Sequence, residues 1–72
     1  MEGRISIRER LQKHSLSYVW LIAQLNNKGI KTDKTEMSSV VAGTRTGDKA
    51  DSIIQTSNNI IDEYEKVFVH GG

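Results

Sequence analysis

The chain has 72 residues, no cysteine and no proline, and 36% of its residues are apolar. A chain of this size forms a single hydrophobic core, which excludes two packed domains. Without cysteine, neither a disulfide framework nor a thiolate metal site can form. So small a domain seldom encloses a substrate pocket, and its two histidines, His14 and His70, lie far apart in the sequence. We therefore expect a binding module rather than an enzyme, with no cofactor, metal ion or small-molecule ligand.

The net charge is only +1, but the two parts of the chain differ in sign. Residues 1–49 carry nine basic and five acidic side chains, whereas residues 50–72 carry one basic and four acidic side chains. This division predicts a basic face in the first part and an acidic, solvated face in the last, with ordinary mixed surface charge as the alternative. The longest near-apolar stretch, residues 18–25, is much shorter than a membrane span, and no signal-peptide core is present. We expect a soluble cytoplasmic protein that does not bind membranes.

The first predicted helix covers about residues 7–14. Ser6 is followed three positions later by Glu9, which is a capping-box pattern, and the apolar residues Ile7 and Leu11 are spaced by four. The other side of this helix is basic, with Arg8, Arg10 and Lys13.

The second predicted helix begins after Ser17. The Ser17 hydroxyl can cap the first amides, and Leu16 and Leu21 form a hydrophobic staple across the cap. Gly29 is a typical C-terminal stop. The residues expected to face the core are Leu21, Ile22 and Leu25, and those expected to face water are Gln24, Asn26, Asn27 and Lys28.

The third predicted helix covers about residues 34–42. Asp33 as N-cap and Glu36 three positions later form a second capping box, and Gly43 ends the helix. The buried stripe consists of Met37, Val40 and Val41. The opposite side is small and polar, with Lys34, Thr35, Ser38 and Ser39.

The last predicted helix is long and amphipathic. Apolar or small residues keep a 3.6-residue period over some 18 positions, and the aspartates Asp48 and Asp51 near its start suit the helix dipole. Residues 67–69 are the one place where a short strand is expected. The periodic set is Ala50, Ile53, Ile54, Ser57, Ile61, Tyr64 and Phe68.

The order of these signals resembles the helix-turn-helix of lambda-type phage repressors and Cro proteins, over roughly residues 5–66. Ser17 fills the place of the helix cap, Leu21 and Ile22 that of a Leu-Ala pair, and Ile30 that of the buried turn residue. Met37 with Gly43 fills the place of an aliphatic residue six positions before a closing glycine. Two departures are an insertion of about five residues between Leu21 and Met37, and Ile22 in place of the usual alanine. The resemblance implies one all-α domain over residues 1–72, with four to five short helices and the helix-turn-helix at about 17–42.

The resemblance also implies a transcription regulator in a phage lysis-lysogeny switch, acting in the cytoplasm of a bacterial host cell. The helix from Lys34 would lie in the major groove of double-stranded operator DNA. Its base-contacting residues would be Lys34, Thr35, Ser38 and Ser39. Backbone phosphates would be bound by Ser17, Thr44, Arg45 and Lys49, whose alternative interpretation is a solvated turn. Because Cro-like proteins usually dimerise, a homodimer is expected.

A second interpretation starts from Tyr18, Val19 and Trp20. Three consecutive helical residues cannot all point inward, and tyrosine and tryptophan are enriched at protein interfaces. This pattern is similar to that of small phage antirepressors, or modulators of repression, which bind the cognate repressor protein and block its DNA-binding face. The interface would then include Lys34 and Ser38. The alternative is that Val19 and Trp20 pack beneath the last helix, and a structural module unrelated to transcription is a third class.

Overall fold

The computed structural model describes the backbone of residues 2–68 and the side chains of residues 7–67. Within that range the chain forms four α-helices and no strand: α1 (Glu2–Lys13), α2 (Tyr18–Asn27), α3 (Lys34–Ala42) and α4 (Asp48–Phe68). The long helix α4 packs against all three others, and α3 also packs against α1 and α2. The prediction of an all-α domain with four to five helices is confirmed, with four.

One core lies between the four helices. Each of them contributes buried aliphatic side chains, and the predicted stripe of α3 is confirmed, with Met37 and Val40 fully buried. Ile22 and Ile54, which the periodicity also assigns to the core, are only half-buried at its edge, whereas Ile60 is buried. Ile60 is buried because α4 packs against all three other helices, so its apolar face is wider than one helical stripe. The buried aliphatic residues are Ile7, Leu11, Leu21, Leu25, Met37, Val40, Val41, Ala50, Ile53, Ile60 and Ile61.

The predicted caps fix the bounds of α2 and α3. The Ser17 hydroxyl accepts a hydrogen bond from the Trp20 amide at 3.2 Å, and the Asp33 carboxylate accepts one from the Glu36 amide at 2.7 Å. Gly43 ends α3 with a φ of 86°, a left-handed conformation that glycine adopts without steric cost. These local signals place both helices where the sequence predicts them.

The predicted start of α1 is wrong. The helix begins at Glu2, so Ser6 lies inside it and is not an N-cap. A serine within a helix costs less than about 1 kcal/mol relative to alanine, so the extra turn that continues the backbone hydrogen bonding outweighs that cost. The helix ends at Lys13, and the amide of Leu16 closes the end by donating to the carbonyl of Leu11 at 2.7 Å.

The C-terminal end of α4 also differs from the sequence prediction. Residues 67 and 68 are helical, so the strand expected there is wrong, and Val69 lies outside the described residues. A continued helix pairs its own backbone groups, whereas a lone strand would leave them without partners.

A cluster of polar side chains, which we call the α1–α4 seam, joins α1 to α4. The Arg10 guanidinium donates to Asn58 Oδ1 at 3.2 Å, to Glu65 Oε1 at 2.9 Å and to Asp62. The second oxygen of Glu65 lies 2.9 Å from Nε2 of His14. The hydrogen bonds from His14 and Arg10 lower the pKa of the Glu65 carboxyl to about 2. Part of the predicted solvated acidic face is therefore paired with α1.

Candidate nucleic-acid interface

One side of helix α3 carries polar side chains that are exposed and do not pack in the core. Met37 and Val40 are fully buried, and this burial fixes the rotation of α3 about its axis. Lys34, Thr35 and Ser38 consequently point outward and are exposed. We call these three residues the α3 outer face. Their side chains make no hydrogen bond or ion pair with any described residue, so every donor they carry is open to a ligand.

Ser39, the fourth residue predicted to read bases, lies at the edge of this face and is half-buried. Its carbonyl accepts hydrogen bonds from the amides of Thr44 and Arg45, at 3.0 and 3.2 Å, and from the Thr44 hydroxyl at 3.2 Å. These bonds close the C-terminal end of α3. Thr44, predicted to bind a phosphate, therefore uses its hydroxyl within the turn.

Glu36 forms ion pairs with Arg45 and Lys49, the two cationic residues predicted to bind phosphate. Its carboxylate lies 3.2 Å from Nζ of Lys49 and 3.4 Å from Nη1 of Arg45, and it accepts a hydrogen bond from the Thr32 hydroxyl at 2.7 Å. The Thr32 hydrogen bond and then the Lys49 contact lower the pKa of Glu36. Arg45 and Lys49 both remain more than half exposed. The charge of Arg45 and Lys49 is thus partly neutralised by Glu36.

The three large residues in the first turn of α2 differ in their exposure to solvent. Val19 is 67% exposed, whereas Tyr18 and Trp20 are half-buried against the core. The Trp20 ring packs edge-on against Tyr64 of α4, with the ring centroids 5.7 Å apart. Of the two residues expected either to pack beneath α4 or to face a partner, Trp20 therefore packs and Val19 is exposed.

A groove of about 610 Å³ opens between α1, the start of α2 and the second half of α3. We call it the α1–α3 groove. Its apolar lining consists of Leu11, Leu16, Val41 and Ala42, and its polar lining consists of Arg8, Gln12, Tyr18 and Ser38. Ser38 belongs to both the groove and the α3 outer face. The sequence predicts that Arg8 lies on the basic side of α1. It does not predict that Arg8 lies near α3, because that position depends on how α1 and α3 pack.

Of the nine lysine and arginine side chains between residues 7 and 67, three make an ion pair: Arg10, Arg45 and Lys49. Arg8 and Lys34 are among the six without one. His70, the second histidine noted in the sequence, lies outside the described residues. Between residues 2 and 68 no helix has the length and apolar character needed to cross a membrane.

Comparison of the chain with protein families, curated proteins and solved structures finds no match.

Proposed function

We propose that this protein is a phage-type helix-turn-helix transcription regulator, similar to Cro, that binds operator DNA through the α3 outer face. The observation that carries the proposal is the exposure of Lys34, Thr35 and Ser38 on one side of α3, where none of the three side chains bonds with a described residue. In this proposal α2 and α3 form the helix-turn-helix, joined by the six residues 28–33. By binding its operator, the protein would regulate transcription in the lysis-lysogeny switch of a phage.

The chemistry of the α3 outer face suits base edges. The Lys34 ammonium can donate to O6 and N7 of guanine, and the hydroxyls of Thr35 and Ser38 can donate or accept. All three residues lie in the first five positions of the helix, the part that contacts bases when such a helix lies in the major groove. Short side chains at positions 35 and 38 also allow the backbone of α3 to come close to the DNA.

Phosphate contacts would orient α3 on the duplex. Ser17 caps α2, whose first amides have no acceptor within the helix and attract anions. Thr44, Arg45 and Lys49 follow α3. DNA would compete with Glu36 for the two cations and with the Ser39 carbonyl for the Thr44 hydroxyl. Two copies of the chain would reach two half-sites about one helical turn apart, so the proposal includes a homodimer on DNA.

The test is a titration of the protein into a fluorescent duplex that carries the intergenic region beside its own gene. Anisotropy is recorded at several salt concentrations, with a scrambled duplex as the control. The proposal predicts saturable binding that is tighter than to the scrambled duplex and that weakens steeply with salt. Equal affinity for both duplexes, or no binding at low salt, would contradict it.

A second candidate function is supported by Val19. A valine that is 67% exposed at the start of α2 is an apolar contact available to a protein partner. In this candidate the chain is an antirepressor that binds the cognate phage repressor through Tyr18, Val19 and Trp20, together with Lys34 and Ser38. The partner would be the repressor protein instead of DNA.

Val19→Asp tests this candidate more cleanly than a change at Trp20, because Trp20 packs against Tyr64. An acidic residue in the first turn of α2 suits the helix dipole, so folding is expected to be retained. If Val19 is an interface anchor, the substitution weakens repressor binding by about 2 kcal/mol or more. Asn59→Asp on the exposed side of α4 adds the same charge elsewhere and is the matched control. Equal repressor binding by both variants would eliminate this candidate.

A further inference from the structure

The polar lining of the α1–α3 groove consists of groups that can donate hydrogen bonds. Arg8 and Gln12 lie one turn apart on α1, Tyr18 is the first residue of α2, and Ser38 faces them from α3. None of these four side chains has a hydrogen bond or ion pair with a described residue. The groove has no acidic lining residue, and its one charged residue is a cation. Its chemistry therefore favours an anion.

We propose that this groove binds a phosphate of the DNA backbone, and that Arg8 is the residue that anchors it. The inference rests on the proposed function, and it adds a contact from α1 to those expected from the two helices of the motif. An arginine guanidinium can form two parallel hydrogen bonds with phosphate oxygens. The hydroxyls of Tyr18 and Ser38 can donate to the same group.

Position supports phosphate as the occupant. Ser38 lies both in the groove and on the α3 outer face, so an anion in the groove would lie directly beside the bases that α3 contacts. Tyr18, which lines the groove, is the first residue of α2, and the helix dipole at that end of a helix attracts negative charge. The apolar lining from Leu11, Leu16 and Val41 offers no group that would compete with the anion for Arg8. A phosphate held there would fix α1 and α3 on the duplex together.

The test compares Arg8→Ala with Lys13→Ala by duplex anisotropy across a salt series. Both residues are exposed on α1 and both substitutions remove one positive charge, but only Arg8 lines the groove. We expect Arg8→Ala to reduce the slope of log affinity against log salt by about one unit, and Lys13→Ala to change it much less. Circular dichroism checks that both variants remain folded.

A second pair of variants adds one negative charge, in the groove in one variant and outside it in the control. Gln12→Glu should lower DNA affinity because it opposes an anion in the groove, whereas Gln55→Glu, exposed on α4, should lower it much less. If the parent binds the operator duplex but each variant behaves like its control, the groove does not hold a phosphate while the proposed function stands. If the parent does not bind DNA at all, the proposed function itself fails. Loss of repressor binding instead of DNA binding in Arg8→Ala would assign the groove to a protein partner and overturn the phosphate proposal.

Discussion

The α1–α4 seam and the α3 outer face are both polar surfaces, but they use their polar groups in opposite ways. In the seam, Arg10 bonds with Asp62, Glu65 and Asn58, and His14 shares Glu65. On the α3 outer face, no described residue bonds with any of the three side chains.

The difference indicates where stability and binding are located in a chain this small. Groups that bond with one another hold α1 to α4 and offer little to a ligand, because a ligand would have to break existing bonds. Groups without partners add little to folding but can bond with DNA at no such cost. Substitutions in the two regions should therefore affect different measurements.

The largest effect is expected beneath the outer face. Met37→Ala removes a fully buried side chain from α3 and should lower the free energy of unfolding by about 2–5 kcal/mol. Thr35→Ala, two positions earlier on the exposed side, should change it by less than about 0.5 kcal/mol. Urea unfolding followed by circular dichroism measures both. A similar loss for the two variants would mean that the outer face contributes to folding after all.

Two serines whose hydroxyls bond with no described residue extend the comparison, because one serine is buried and the other is exposed. Ser57 of α4 is fully buried, and its hydroxyl has no hydrogen-bond partner among the described residues. Since an unpaired buried hydroxyl is costly, Ser57→Ala should raise the free energy of unfolding by about 1 kcal/mol. Ser38→Ala on the exposed face should leave it unchanged within about 0.5 kcal/mol. A destabilised Ser57→Ala would show that this hydroxyl has a stabilising role.

The smallest effect is expected from the pH dependence of the seam, because Arg10 and Glu65 are partly exposed and solvent screens their interaction. The pKa of Glu65 is about 2 in the folded chain, below its ordinary value of 4.5, so ionised Glu65 contributes stability above pH 4.5. That contribution is lost as the pH falls from 4.5 towards 2, because the carboxylate takes up a proton. Unfolding midpoints between pH 7 and pH 3 should fall less steeply in Glu65→Gln than in the parent. Glu63→Gln, which removes an exposed carboxylate without an ion pair, should keep the parent slope.

The sequence predicts α2 and α3 closely because their signals are local. Ser17, Asp33 and Gly43 act within three residues of the helix ends that they determine, so the chain alone reveals them. The predicted start of α1 is wrong because Ser6 and Glu9 satisfy a capping pattern, yet the helix continues through both residues to Glu2.

The contacts that join side chains from different helices could not be predicted from local signals. Arg10 and Glu65 are 55 positions apart, and only the packing of α1 on α4 brings them together. The same holds for Arg8 and Ser38, which line one groove, and the single basic side predicted for α1 is divided, because Arg8 lies toward α3 and Arg10 toward α4. Glu36 looked like the second half of a capping box, yet it bonds with Thr32, Arg45 and Lys49. Long-range pairing thus decides which charges remain for a ligand.

The assignment of the α3 outer face to DNA is tested most directly by two variants, Arg10→Ala and Lys34→Ala, each of which removes one positive charge. Both the free energy of unfolding and the operator affinity are measured for each variant. Arg10→Ala should lower the free energy of unfolding by about 1 kcal/mol while operator affinity changes little. Lys34→Ala should leave unfolding within about 0.5 kcal/mol of the parent but weaken operator binding by about 1–3 kcal/mol. Parent-like operator affinity in Lys34→Ala, or an equal loss of affinity in both variants, would contradict the assignment of the α3 outer face to DNA.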